Sequence, residues 1–513
     1  MSNRSASTAS VTIPVQIDQT EKNVSKEIGQ DPASAPDPFQ VFLEPTEHPQ
    51  NLSSLRKWLA VIVISSSALC ATSASSIVRN SLAICDQLAS SAQASFTEIA
   101  VAEEFHVSHV VTILSISLFV EGLGVGPLLV GPLSEVYGRN IVYQVSYTLF
   151  FAFSWPVAFA PNIAVYLIFR FVTGLCGSAF LSVAGGSVSD LFSDANVASP
   201  MALYTISPFI GPVLGPLISG FINQNLYWRW TYRVQLMWIF AQYLALFLFV
   251  PETYVPVLRK RKAERLRKST GELRYYAPLE KSDRSLFVAV LVSCYKPFQL
   301  ILFDQMALLL DVWSALILGI LYLTFQAFPI IFESGHGFNM QSAGLTFLGI
   351  GFGMMLAIST QPLWNRHFLR QRQKFEGSPP PETRLIMGQV GAILVPVGLY
   401  WLAFTTYPHV HWMVPIIASV PFGSGIYFVF TSTFTYLVTA YRPIAASAMA
   451  SNSALRSIFA AVFPLFAGAM YSKLGTVGAT ALLAGLTTIM APLPFVFYRI
   501  GHRLRQSSRF AVH

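Results

Sequence analysis

The chain has 513 residues, 53% of them hydrophobic and 11% charged, with a mean hydropathy of +0.53 and a formal net charge of +8. Soluble domains are rarely this poor in charge, and runs of 18 or more apolar residues read as bilayer spans of about 20 residues, which excludes a string of ordinary globular domains. No stripe of basic and aromatic residues points to RNA or DNA, so nucleic acid is not an expected partner.

Residues 1–56 are polar, rich in Ser, Pro, Gln and Asp, and lack the apolar core of a signal peptide; they predict a disordered cytoplasmic tail. Spans follow near 58–77, 110–130, 141–160, 163–189, 200–222, 230–250, 303–332, 342–363, 385–406, 412–438, 444–470 and 475–498, twelve in all. Between Arg259 and Lys296 there are eleven basic and four acidic residues, and Arg366, Arg370, Arg372 and Lys374 follow span eight. The other side carries little more than Arg79, Arg229, Arg233 and Lys473, so both termini and the central loop are assigned to the cytoplasm. The glycosylation triplets at Asn3, Asn23 and Asn51 then lie on the wrong side and read as chance matches. Cys70, Cys85, Cys176 and Cys294 are scattered without ligand spacing; they read as small buried side chains, with no metal and no cofactor expected.

In the segment between spans two and three, Gly131 and Gly138 allow tight turns. Glu135 and Arg139, four residues apart, can pair or hold neighbouring helix ends, or the segment is a plain tight loop. Arg170 stands within span four, where a guanidinium costs at least roughly 2.5 kcal/mol on insertion scales, so it needs a wet cavity, a partner, or carbonyls near the span end. In span five, Gly211-Pro212 and Gly215-Pro216 recur four residues apart, with Gly220 beside the same face. The glycines let a neighbouring backbone approach and the prolines loosen the turn before them, which marks a moving part.

The central segment, 251–300, separates an N-terminal six-helix half (57–250) from a C-terminal one (301–500), followed by a cytoplasmic tail at 501–513. This is an all-α membrane protein of two pseudo-symmetric halves, with a cavity between them near the midplane. The basic run Arg259 to Lys268 either binds anionic lipid or only fixes topology. Tyr322, Phe325, Phe328, Tyr427, Phe430 and Phe434 recur at spacings that line a pocket or simply pack. Asn452 and Arg456, four apart on span eleven, either hold an inward gate or satisfy backbone at a helix crossing. No nucleophile, base and orienter cluster and no phosphate loop is found, so an enzyme is not expected.

These residues carry a resemblance. Gly131-Pro132-Leu133-Ser134-Glu135-Val136-Tyr137-Gly138-Arg139 resembles the loop signature of the major facilitator superfamily, Arg170-Phe171-Val172-Thr173-Gly174 its second motif, and the Gly-Pro repeat the motif of its proton-coupled antiporters. Trp228-Arg229-Trp230 and Pro251-Glu252-Thr253-Tyr254 are similar to the fungal twelve-span drug:proton antiporters, and the likeness runs from Lys57 to Arg505. It implies a monomeric plasma-membrane antiporter, with the bilayer, protons and a small-molecule substrate as its partners, that exports an organic compound by alternating access. It also implies that Arg170 serves proton coupling. Many relatives have Asp at the place of Glu135 and a second basic residue at Asn140, which weakens the latch here.

A carboxylate between helices is needed to carry the proton; Glu121 and Asp311 are the intramembrane candidates, with Asp190 and Asp304 near span ends. Relatives usually have an apolar residue at the place of Glu121, which is either a private proton site or a bundle-facing acid. Where relatives that move polyamines or organic cations carry acids, this chain has Gln326 and Thr439, which argues for a neutral or weakly charged amphipathic substrate. A facilitator or importer of a polar solute such as a sugar, and a polyamine exporter, are the alternatives; a transporter-like sensor would have a longer tail than the about 15 residues after span twelve. Without Val78 to Gln93 the chain would have the family's spacing between spans one and two, so this segment is either a retained intron in translation or an external insertion.

Overall fold

A computed structural model describes residues 37, 39–76, 101, 104–193, 196–281, 286–374, 380–441 and 444–508. The Val78 to Gln93 segment and Cys85 lie outside the described residues. Backbone polar groups cannot stay unpaired in lipid, so apolar runs close their hydrogen bonds internally. Among the described residues the only β pairing is a single bridge, and everything long is helix.

The membrane helices of the first half are α1 (Ser54–Ser76), α2 (His109–Tyr137), α3 (Arg139–Ala158), α4 (Ile163–Leu191, in three closely joined segments), α5 (Ala198–Asn225) and α6 (Arg229–Phe249). The second half has α7 (Gln305–Pro329), α8 (Met340–Lys374, also segmented), α9 (Leu385–Phe404) and α10 (Met413–Ala440). Eleven stretches are long and apolar enough to cross a membrane, and the last, Ser447–Gln506, runs 60 residues. That length is about 90 Å against a hydrocarbon core of about 30 Å. Gly475, at φ 69°, breaks the helix inside it, so α11 lies before Gly475 and α12 after it. The two passes on either side of this turn reconcile eleven stretches with twelve spans.

Buried serines and threonines of α1 satisfy themselves on their own helix: Ser67 donates to Val63 O at 2.8 Å, Thr72 to Ala68 O at 2.9 Å and Ser73 to Cys70 O at 2.9 Å. Phe247, Leu248, Phe352 and Ile489 are among the large apolar side chains left on the outside, as lipid requires.

Two sequence expectations need correction. Gly131 and Pro132 are not in a turn but inside α2, because membrane helices tolerate both residues; only Gly138, at φ 100°, makes the turn into α3. Residues 251–300 are not one loop: helices Val255–Thr270 and Leu286–Phe303 occupy much of it, and the second packs against α2 and α11. Span seven begins at Gln305, close to the expected edge, and Asp304 at its end is the cap, accepting from Met306 N and Ala307 N at 3.1 and 3.0 Å.

The chain divides into two compact units, Glu44–Leu258 with Asp283–His513, and Met1–Leu43 with Arg259–Ser282. The first unit holds all the membrane helices. In the second, Val41 N–H donates to Tyr276 O and Tyr276 N–H to Phe39 O, both at 3.0 Å, while Val41, Ala263 and Ala277 are buried together. The expected tail disorder therefore fails for this stretch, since an apolar side chain is buried and the backbone is paired. Short 3₁₀ turns at Pro45–Glu47 and Pro49–Asn51 likewise order the residues before α1. Arg267 pairs with Glu280 at 2.6 Å, and this bond holds the Glu280 carboxyl below its ordinary range against a smaller upward push from burial.

Candidate functional site

Arg170 is fixed by close approach of α2 and α4. A Cβ on Gly122 would stand 2.7 Å from Leu175 N, and one on Gly174 would strike Phe119 O, so both positions demand glycine for the helices to meet. The arginine is 2% exposed; Nη1 and Nη2 donate to Ala74 O at 3.0 and 3.1 Å, and Nε to Ser115 O at 3.3 Å. Its guanidinium also lies over the Phe119 ring, 4.4 Å from the centroid. Carbonyls of α1 and α2 thus compensate the charge. A void of about 10 Å³, near the volume one water needs, remains between Arg170, Thr173, Tyr232 and Gln235.

Asp311 on α7 is completely buried, and its oxygens accept from Ser451 Oγ and Asn452 Nδ2 on α11, each at 2.9 Å. Asn452 Nδ2 also donates to Ser314 Oγ at 2.7 Å. Asn452 and Arg456 share the α11 face as expected, but only Asn452 bonds Asp311. Arg456 instead lies over Phe430 and Phe434 of α10, 5.4 and 4.8 Å from their centroids. Phe209 of α5 stacks on Phe430 at 4.5 Å, which brings the two halves together beside Arg456.

Tyr322 joins the two sides of this region. Its hydroxyl is 2.8 Å from Ser75 Oγ of α1, and both Arg170 and Arg456 act on it electrostatically. Ser117 Oγ of α2 donates to Ala461 O of α11 at 2.5 Å, and Gly124 meets the Ser457 side chain. Glu121, four residues after Ser117 and three before Gly124, stands on that same α2 face and is half-buried. Arg170 and Asp311 therefore belong to opposite halves, and Glu121 contacts neither.

Of the candidate cavity residues, Tyr322 and Phe430 reach the boundary between the halves, and Phe325 packs on Tyr322 at 5.1 Å. Gln326 is buried in α7. Tyr427 turns away within its own half and donates to Gln361 Oε1 at 3.1 Å. Thr439 bonds back to Thr435 O of its own helix at 2.7 Å. Asp304 is consumed as a cap that also accepts from Tyr441 at 2.7 Å and from Ser508.

At the end of α2, of the alternatives for Glu135 and Arg139, their mutual pair is not formed and Glu135 is exposed, while Arg139 bonds groups at neighbouring helix ends. Arg139 Nε instead meets Asp190 Oδ2 at 3.4 Å, and its Nη1 donates to Ser134 Oγ at 2.6 Å. Glu252 Oε1 accepts from Arg139 N at 2.9 Å, Thr253 donates to Asp190, and the Tyr254 ring lies 4.7 Å below the guanidinium. Asn140 Nδ2 donates to Val250 O at 2.5 Å. The Pro251 to Tyr254 motif is thus part of the latch.

The Gly-Pro face of α5 packs on α1. A Cβ on Gly211 would meet Ser73 N at 2.8 Å, and one on Gly215 would meet Ser73 O at 2.8 Å. Gly220, one position beyond, is buried, and prolines 212 and 216 sit inside the helix. On its other side α5 touches α8, where a Cβ on Gly344 would lie 2.8 Å from Pro216 O.

At the opposite membrane end, Glu104 accepts from Tyr227 OH, Trp228 Nε1 and Arg229 Nη2 at 2.5, 2.8 and 2.5 Å. Burial pushes the Glu104 carboxyl up, but these donors together outweigh it and hold it below its ordinary value. The aromatic-arginine triplet thus clamps the start of α6, a role sequence reasoning did not assign.

The family model described as Major Facilitator Superfamily matches residues 81–464. The chain is 51% identical over 395 residues to "Efflux pump atB" of Aspergillus terreus, covering 76% of this chain and 83% of that protein. It is 44% identical over 411 residues to "Probable drug/proton antiporter YHK8" of Saccharomyces cerevisiae, 80% of each. Among solved structures, the xylose transporter XylE from E. coli superposes with a TM-score of 0.55 at 14% identity, covering 86% of this chain and 99% of that one; this likeness is of fold alone.

Proposed function

Because the chain belongs to the major facilitator superfamily, we propose that it exports small amphipathic organic compounds in exchange for protons, acting as a monomer in the plasma membrane with both termini in the cytoplasm. The halves 57–250 and 301–500 rock about a site between α1, α5, α7, α10 and α11, opening it to one side at a time. Relatives named as an efflux pump and a drug/proton antiporter support the direction and the coupling.

The observation that carries the proton part is Asp311. It is a carboxyl at 0% exposure inside the bundle, held by neutral donors, Ser451 and Asn452, rather than by a cation. Such a group can be occupied by a proton or vacated without leaving an ion pair behind. Arg170, tied to the backbone of α1 and α2, sets the shape of the first half and supplies fixed positive charge toward Tyr322.

Asp311→Asn tests this, because the amide keeps size and can still bond Ser451 while it cannot titrate. Inside-out vesicles carrying the variant are expected to exchange labelled substrate down its gradient but to build no accumulation from an imposed proton gradient. Wild-type accumulation ratios in the variant would overturn the assignment.

A further inference from the structure

Arg456 differs from Arg170 in one respect: it has no hydrogen bond and no ion pair among the described residues. Its Nε is buried without a partner. Asp311, the nearest candidate counter-charge, acts on it electrostatically but forms no salt bridge with it, both its oxygens being engaged by Ser451 and Asn452. Arg170, by contrast, places all three of its nitrogens on carbonyls of α1 and α2. A guanidinium presents its donors in a fixed planar fork, and leaving that fork unmatched inside a membrane bundle is costly unless something else fills it.

The surroundings specify what fills it. Phe430 and Phe434 lie under the guanidinium at 5.4 and 4.8 Å, and Phe209 of the opposite half stacks on Phe430 at 4.5 Å with the planes 15° apart. Of the tyrosines in this region, Tyr204 of α5 donates its hydroxyl to Phe180 O and Leu181 O at 3.1 and 3.2 Å, and the Tyr322 hydroxyl of α7 pairs with Ser75 Oγ at 2.8 Å. The guanidinium is therefore at the contact of the two halves, flanked by flat aromatic faces. Tyr322, Thr324 and Gln326 are the polar residues of this part of α7, and none of them carries a negative charge.

We propose that Arg456 is the anchor for an anionic head group, and that the exported compounds include planar aromatic or unsaturated acids bearing a carboxylate, or an equivalent delocalised oxyanion. The proposal rests on the export reading above and narrows its substrate class. The carboxylate takes the guanidinium fork, and the flat body of the molecule lies among Phe209, Phe430 and Phe434. In this arrangement the anion lies between the two halves, so binding it depends on their approach.

The test uses the full chain, purified in lipid nanodiscs, and three probes that share a ring system: 2-naphthoate, 2-naphthamide and 2-naphthylmethylamine. Thermal stabilisation and competition at pH 7 are expected to rank the carboxylate first, about 10–100-fold tighter than the amide, the range that a hydrogen bond to a charged group supplies. Arg456→Gln should abolish that preference while leaving amide affinity within about threefold, and Arg456→Lys should restore part of it. No binding of naphthoate to the wild-type protein, an affinity equal to that of the amide, or a preference for the amine overturns the proposal. Because the wild-type ranking decides on its own, the test holds even if Arg456→Gln fails to fold. Uptake into proteoliposomes separates this from the broader reading. Naphthoate bound through Arg456 but not driven by a proton gradient would leave the anion site standing and refute proton-coupled export; gradient-driven uptake of amide alone would do the reverse.

Discussion

Replacing Gly344 by Ala should shift the transporter toward the state open on the side opposite the basic loops. The added Cβ would stand 2.8 Å from Pro216 O and 3.3 Å from Leu217 Cα, and ordinary contact begins at 3.4 Å. Helices α5 and α8 must therefore part by about 0.6 Å at this point, the difference between 3.4 and 2.8. Both obstacles are backbone, so no rotamer change relieves them. Overpacking of this kind costs roughly 1–3 kcal/mol. Since α5 and α8 belong to different halves, the cost falls only on conformers in which the halves are closed there, and that energy corresponds to a change of about 5–150-fold in the ratio of open to closed states. The assay is the labelling rate of Ser75→Cys by a membrane-impermeant maleimide added outside, in a background with the native cysteines replaced. Ser75 is held against Tyr322 in the closed arrangement, so opening exposes it. The rate should rise within that range for Gly344→Ala, but not for Gly468→Ala, where a Cβ meets nothing within 4 Å. An unchanged rate, or an equal rise in the control, would refute the reasoning.

Three further outcomes are expected. Asp190→Asn should impair transport more than Glu135→Gln, since Arg139 pairs with Asp190 while Glu135 is exposed; equal effects in a vesicle uptake assay would contradict the observed pairing. Arg170→Lys should lose most coupled transport despite keeping its charge, because an ammonium cannot reach Ala74 O and Ser115 O together as the guanidinium does; normal accumulation ratios would show that geometry there is dispensable. The Glu280 carboxyl is held low by Arg267, so this contact stabilises its unit above the ordinary carboxylate value of about 4.3 and is lost as pH falls through the lower folded value. The protection of residues 259–281 against hydrogen exchange, relative to the intrinsic rate at each pH, should fall on acidification in the wild type, and Glu280→Gln should remove that change in protection.

The membrane architecture was legible because hydropathy over about 20 residues is a strong local signal. The smooth face of α5 was legible for a related reason: small residues four apart on one helix predict a close neighbour, and Thr72 to Ser76 of α1 provide it. Long-range partners left no such trace. Asp190 lies 51 residues from Arg139, Glu252 lies 113 away, and Asn452 is 141 from Asp311. The carbonyls that hold Arg170 carry no side-chain signature at all. Of the alternatives for Glu135, the pair with Arg139 fails because spacing of four implies adjacency only within one helix, whereas Gly138 interrupts the helix between them. The order around Val41 was missed because Phe39, Val41, Phe42 and Leu43 form too short an apolar run in a polar tail to show a period from which to infer its partner.

Within α11, Ser451 and Asn452 hold the carboxyl of Asp311, Arg456 presents its unmatched fork, and Ser457 and Ala461 touch the opposite half. These ten residue steps span about 15 Å of one helix. A rigid rod that carries three such contacts cannot shift at one without registering at the others, so the proposed occupancy of the carboxyl by a proton and the proposed occupancy of the fork by a ligand would be thermodynamically linked. Linkage is reciprocal: whatever factor protonation applies to ligand affinity, ligand must apply to proton affinity. Coupling would then follow from the stiffness of a single helix rather than from a relay of side chains, and a break in that helix between Asn452 and Arg456 would uncouple the two events while leaving each of them intact.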